Sequence, residues 1–347
     1  MIVEILGVAV SLLGMFAGFG VLIGLLFGFF GMGGSFLVTP ALLVMGYKTD
    51  VAVASGLAFV FGTSVIATLK HRDLGQVDYK LGVLMIAGTT AGIEVGKFGL
   101  HWLQDIGLAN TVVSVAYVAL LGGIGVFITY NALKSGDSGG VDHDAEGMDA
   151  EEAAEDIPDI AKKIQSYRIP PMMSIKGGLT VSLWMILGVA FATGLLSGFL
   201  GVGGGFIRMP ALFYLIGVPV PVAVGTDLFE IVFSGGIGSF LYAMDGAVDL
   251  AIVVPLLAGS ALGARLGAAA TSLVEEDDIK VYFGAMLLLG ATAVAVRQVG
   301  TYLGVEVLNT VSLVIILGAA LLVSGAVVSS SIRELRRGSG IAEATAD

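Results

Sequence analysis

Two stretches decide the fold: GFFGMGGSFLVTPAL from Gly28 to Leu42 and GFLGVGGGFIRMPAL from Gly198 to Leu212. Each follows an apolar run of helix length. Each sets a proline, Pro40 or Pro210, at the same distance from its glycines. Interrupted helices in corresponding positions of two halves are the best sequence-level pointer to a transport site in a membrane protein.

The match extends outward from these stretches. A shift of 170 residues carries Gly28, Gly31, Gly33, Gly34, Phe36 and Pro40 onto Gly198, Gly201, Gly203, Gly204, Phe206 and Pro210. A shift of 171 carries Gly75, Val77 and Asp78 onto Gly246, Val248 and Asp249, and Gly88, Gly92 and Gly96 onto Gly259, Gly263 and Gly267. The one-residue slip falls in a loop, where an insertion is cheap. The register of these matches establishes internal duplication.

Composition supplies the environment. Hydrophobic residues make up 56% of the 347 and charged residues 13%, about half the charge of a soluble chain. The apolar runs recur along nearly the whole sequence, which predicts an all-α polytopic membrane protein. The spans are Ile5–Phe27, Ser35–Met45, Val51–Leu69, Leu81–Leu100, Thr111–Leu133, Leu179–Leu200, Phe206–Ile216, Val222–Tyr242, Val248–Ala270, Ile279–Val296 and Val305–Val328. The two short segments, Ser35–Met45 and Phe206–Ile216, are broken or re-entrant helices. Counting each as one crossing puts five crossings between equivalent positions. Five is odd, so the halves are expected to point oppositely, as two inverted repeats of about five segments with one extra C-terminal helix. The divisions are a first repeat over 1–133, an acidic linker over 134–177, a second repeat over 178–297, the additional helix over 298–329 and a polar tail over 330–347.

The net charge of −11 is local. Ten acids lie between Lys134 and Lys176, among them Glu151, Glu152 and Glu155, so the charge describes a solvated linker. The absence of cysteine excludes disulfides and thiolate metal sites. The apolar N-terminal run lacks a basic leader, so a cleaved signal peptide is not expected. Basic residues at span ends (Lys70, Arg72, Lys80, the linker bases, then Arg333, Arg336 and Arg337) fall on one side. The positive-inside rule makes that side cytoplasmic. The expected location is the cell membrane, with the N-terminus outside and the linker and C-terminus in the cytoplasm.

These features resemble the TauE/SafE, or sulfite exporter, family of membrane permeases. The resemblance rests on the paired glycine phrases and on the small-residue stretch after each, Ala52-Val53-Ala54-Ser55 and Ala223-Val224-Gly225-Thr226. Ser35, where the second half has Gly205, is a mild departure. The resemblance implies movement of a small sulfur-containing anion such as sulfite or an organosulfonate, with no cofactor.

The candidate substrate-binding residues are Gly31, Gly33, Gly34, Ser35 and Ser55 in the first half, and Gly201, Gly203, Gly204, Gly205, Arg208 and Thr226 in the second. A helix starting at Ser35 or Gly205 aims free N–H groups at an anion. Arg208 is the best cationic contact. Asp227 and Glu230, one turn apart, are candidates to pair with Arg208 or to carry a coupling proton. Glu94 and Arg265 occupy equivalent positions, and an inverted repeat would bring them together near the axis. With Lys97 they have an alternative reading as packing salt bridges or snorkelling groups. The hydroxyls of Thr63, Ser64 and Ser234 are weaker candidates for a polar path. His71, His101 and His143 have no metal-ligand spacing. No Gly-Lys-Ser/Thr follows GVGGG and no strand precedes it, so neither a P-loop nor a nucleotide fold is read.

The expected function is a secondary transporter for a small anion, working by alternating access at the interface of the two glycine turns and coupled to protons or to the membrane potential. A channel-like anion pore with the same turns is the alternative. An enzyme is disfavoured because no catalytic signature is present, and nothing suggests nucleic acid as a partner.

Overall fold

In the computed structural model, residues 4–5, 8–30, 35–73, 75–135, 169–175, 180–212, 216–218, 220–271 and 276–344 are described. The helices are α1 Val10–Phe30, α2 Ser35–Val44, α3 Thr49–Asp73, α4 Tyr79–Asp105, α5 Ala109–Ser135, α6 Leu183–Leu200, α7 Gly205–Ala211, α8 Val220–Ala243, α9 Leu250–Thr271, α10 Glu276–Leu303 and α11 Glu306–Ala344. Two short antiparallel hairpins join them: β1 Glu4–Ile5 with β2 Val8–Ala9, and β3 Met172–Ser174 with β4 Thr180–Ser182.

Nine of the described helices are long and apolar enough to cross a membrane. The exceptions are α2 and α7, of 10 and 7 residues. At about 1.5 Å per residue neither reaches across a hydrocarbon layer of about 30 Å. The protein is therefore an all-α, multi-pass membrane protein.

Four boundaries differ from the sequence expectation. The first helix begins at Val10, because Glu4–Ile5 pairs with Val8–Ala9 just before it. The sixth helix begins at Leu183, because Thr180–Ser182 pairs with Met172–Ser174, with Met173 opposite Val181. The α-helical part of α7 stops at Ala211, and Leu212 and Ile216 take the wider π-helical turn. The last helix runs on through the polar residues to Ala344, since Arg, Glu and Leu are good helix formers and nothing before Gly338 breaks the pattern.

The same turn closes α3 and α8. Gly75 and Gly246 both adopt positive φ, 68° and 71°. In each case the next N–H reaches back five residues, Gln76 to the His71 carbonyl and Ala247 to the Tyr242 carbonyl, both at 3.1 Å. This is the glycine-terminated helix end that a Cβ would disfavour. An aspartate then starts the following helix. The Asp78 carboxylate accepts from the Leu81 N–H at 3.0 Å, and Asp249 accepts from the Ala251 N–H at 2.9 Å.

Packing crosses between the halves. The most extensive contacts are α1 with α9 and α4 with α6, followed by α5 with α10 and α3 with α8. The duplicated glycines make the first two. A Cβ built on Gly24 would lie 2.5 Å from the Ser260 Cα, and one on Gly263 would lie 2.7 Å from the Leu25 N. Likewise one on Gly92 would lie 2.6 Å from the Leu195 N, and one on Gly194 would lie 2.6 Å from the Thr89 Cα. In lipid no hydrophobic force joins helices, so this backbone approach supplies the van der Waals contact that holds them.

The order of these contacts gives direction. Gly20 faces Leu256 and Gly28 faces Ala264, so α1 and α9 run the same way. Gly88 faces Ala190 and Gly96 faces Leu195, so α4 and α6 also run the same way. Gly235 sits by Phe61 and Gly238 by Leu57, so α3 and α8 run oppositely. Helix α11 packs on α10, α1 and α2.

Candidate functional site

The second glycine turn is held from three directions. Helix α6 ends at Leu200, and Gly201, Gly203 and Gly204 adopt φ of 72°, 66° and 80°. Gly205 then opens α7. Ending a helix in apolar surroundings strands its last carbonyls. Hydroxyls from other elements collect them. Tyr242 donates to the Gly198 carbonyl at 2.7 Å, Tyr117 to the Leu200 carbonyl at 2.6 Å, and Thr39 to the Gly201 carbonyl at 3.2 Å. Tyr117 and Thr39 come from the first half, so that half helps to build the turn of the second. Helix α3 lies against the turn: a Cβ on Gly201 would stand 2.5 Å from the Val53 Cα, and one on Gly203 2.6 Å from the Val60 Cγ1.

Arg208 projects from α7 into this setting and is fully buried, as are Asp227 and Glu230 on α8. Its Nη1 donates to Asp227 Oδ1 at 2.9 Å and also to Glu230 Oε2. Its Nε donates to the Thr193 hydroxyl on α6 at 3.3 Å, and Ser234 donates to Glu230 Oε2 at 3.1 Å. The spacing explains the convergence: residues 227, 230 and 234 fall on one helix face. Three atoms are left without a partner: Arg208 Nη2, Asp227 Oδ2 and Glu230 Oε1. Nη2 lies against the turn, where a Cβ on Gly204 would stand 2.8 Å from it. Glycine at 204 thus keeps that face of the guanidinium clear.

The first half holds no counterpart. Val38, Gly56 and Phe59 occupy the positions of Arg208, Asp227 and Glu230, and all three are buried. Gly31, Gly33 and Gly34 lie outside the described residues. Ser35 opens α2, and its side chain is outside them too.

The two matched hydroxyls make structural bonds. The Ser55 hydroxyl accepts from the Asp249 N–H at 3.3 Å, and the Thr226 hydroxyl accepts from the Asp78 N–H at 2.9 Å. Each ties the start of a fourth helix in one half to the third helix of the other. Thr63 bonds Ser260 at 3.1 Å, and Ser64 returns to its own helix at the Phe61 carbonyl.

Glu94 and Arg265 are not brought together: both are exposed, and no ion pair joins them among the described residues. Their helices pack chiefly on α6 and α1 rather than on each other. Lys97 instead pairs with Asp245 at 2.6 Å and donates to the Leu241 carbonyl at 2.6 Å, with His101 3.6 Å from the same carboxylate. Glu94, Lys97, Phe98, His101 and Leu241 line an open groove of about 440 Å³ there. His71 contacts Gln76 at 2.7 Å, and His143 lies outside the described residues.

The sequence reading missed Thr39, Tyr117 and Tyr242. A tyrosine inside an apolar span was the available signal, since its hydroxyl needs a partner when buried.

A family model described as sulfite exporter TauE/SafE matches residues 16–294. The match leaves α11 outside. Among curated relatives, the probable membrane transporter protein YunE of Bacillus subtilis is 23% identical, over 75% of this chain and 88% of its own. YjnA of the same organism, also a probable membrane transporter protein, is 25% identical over 76% of this chain and 89% of its own. The probable membrane transporter protein MJ0441 of Methanocaldococcus jannaschii is 25% identical over 71% and 83%. No solved structure matches the chain.

Proposed function

The chain belongs to the sulfite exporter TauE/SafE family of membrane transporters, and on that premise we propose that it is a secondary transporter for a small anion of the sulfite or organosulfonate type. The observation that carries this reading is the buried guanidinium of Arg208, with one unpartnered nitrogen facing the Gly201–Gly204 turn. A buried cation with free donor capacity, set beside backbone cleared of side chains, suits an oxyanion.

Alternating access is the mechanism this reading favours. The opposed sense of equivalent helices supports an inverted repeat: α1 runs with α9 and α3, whereas α6 runs with α4 and α8. The triad is fully buried, which fits an occluded state between two openings. The broken helices α2 and α7 would approach the site from opposite sides. The linker and C-terminus are assigned to the cytoplasm by their basic flanks.

The test is flux in proteoliposomes with a panel of sulfite, methanesulfonate and sulfoacetate. Saturable uptake of at least one is expected, and Arg208→Gln raises its apparent KM. Non-saturating current favours a pore instead. Absence of flux for the whole panel overturns the anion reading, and an unchanged KM in Arg208→Gln removes Arg208 from the site.

A further inference from the structure

Resting on the anion reading above, we infer that Asp227 binds the coupling proton and that one proton enters the site with each monoanion. Formal charge gives the reason. With both acids ionised, one arginine and two carboxylates leave the buried site at −1. A monoanion added to that would put −2 in an apolar interior, which is costly. A proton taken up with the anion returns the loaded site to −1, the same as the empty one. The barrier to reorientation then contains no extra charge in either form.

The hydrogen bonds choose the acid. Glu230 Oε2 receives two donors, Arg208 Nη1 and the Ser234 hydroxyl. Asp227 receives one, at Oδ1, and its Oδ2 is buried and without a partner. The carboxylate with more donors keeps its charge. Protonation at Oδ2 breaks none of these bonds. It turns a buried, unpartnered acceptor into a donor on the carboxyl group that already meets Arg208 through Oδ1. The cluster then carries one more donor and one carboxylate charge fewer, and both changes favour an anion. Proton and anion thus each raise the affinity for the other.

The charged surroundings do not supply a substitute. Helix α6 contributes the Thr193 hydroxyl, and α3 contributes apolar side chains such as Val60. Helix α4 contributes Asp78, whose N–H bonds Thr226 and whose carboxylate caps its own helix. Among the described residues, Arg208 and Glu230 are the charged groups that pair in the site itself.

The experiment uses full-length protein in proteoliposomes and the panel member that carried flux, methanesulfonate first because it stays a monoanion at every pH used. A ratio of one proton per monoanion predicts about tenfold accumulation per unit of imposed pH difference, with no response to a potassium–valinomycin potential. A trapped pH dye reports the co-transported proton. Asp227→Asn is expected to keep anion-for-anion exchange while losing pH-driven accumulation and the dye signal. Accumulation that follows the potential and ignores pH in the wild type overturns the inference and leaves the anion reading intact. So does an Asp227→Asn protein that still accumulates anion with the pH gradient. Where that variant fails to fold, the wild-type ratio still decides whether a proton enters with the anion, and a Glu230→Gln protein that loses pH-driven accumulation while keeping exchange overturns the assignment to Asp227. Absence of flux for every panel member overturns both.

Discussion

The two halves share a skeleton and differ in what it carries. The same glycine-closed turn ends α3 and α8, and the same aspartate starts the next helix. Yet Val38, Gly56 and Phe59 of the first half stand where the second has Arg208, Asp227 and Glu230. Backbone features have been kept where both halves need them for assembly. Among the described residues, the buried ion-paired cluster lies in the second half. The first half gives this cluster walls and hydrogen bonds, from Val53, Val60, Thr39 and Tyr117, in place of a second set of charges.

The sharpest way to break the comparison is at the paired position 38/208. Arg208→Met strands two carboxylates in the interior, and removing one partner of a buried ion pair costs about 3–5 kcal/mol. Val38→Ala loses two methyl groups, about 1–2 kcal/mol at roughly 0.8 kcal/mol each. Thermal unfolding of the purified proteins checks the ordering, and equal losses would show that the halves are energetically alike. A middle-sized contrast lies in the glycines. Gly204→Val forces a side chain into left-handed backbone, about 1–2 kcal/mol, and pushes on Arg208 Nη2; flux is expected to vanish while membrane insertion persists. Gly56→Ala crowds the Gly201 carbonyl, 2.8 Å from the added Cβ, and overpacking costs about 1–3 kcal/mol, with flux lowered rather than lost because the guanidinium itself is not touched. Parallel flux and stability losses in both would remove the distinction. The smallest effect tests likeness rather than difference. Ser55→Ala and Thr226→Val each remove one interhelical hydrogen bond, worth about 0.6 kcal/mol on average in membranes. Matched small losses with unaltered KM are expected; a raised KM in either would return that hydroxyl to the transport path.

Much of the fold was legible because its signals are local. Apolar runs of span length and the repeated glycines are readable one segment at a time. So was the approach of Arg208, Asp227 and Glu230, since buried charges seek partners and the two acids share a helix face. What failed was inference from symmetry to contact. Glu94 and Arg265 are equivalent, but equivalent residues meet only on helices that lie beside the symmetry axis. Helices α4 and α9 are each spoken for by the first helix of the other half. Ser55 and Thr226 were rightly matched and read as path-lining, because nothing local indicates that a hydroxyl will receive an N–H almost 150 residues or more away. The hydroxyls that support the glycine turn were hidden for the same reason.

The crosswise pairing of α1 with α9 has a consequence for biogenesis. The groove at Gly20, Gly24 and Gly28 is filled by residues 256 to 264. A ribosome adding about 5–20 residues per second needs on the order of ten to fifty seconds to deliver them. During that interval the first helix sits in the bilayer, or in the insertion machinery, with its complementary surface missing. The first helix therefore waits for about two-thirds of the chain before its main contact forms, and a premature stop in the linker would leave an orphan half rather than a smaller working unit.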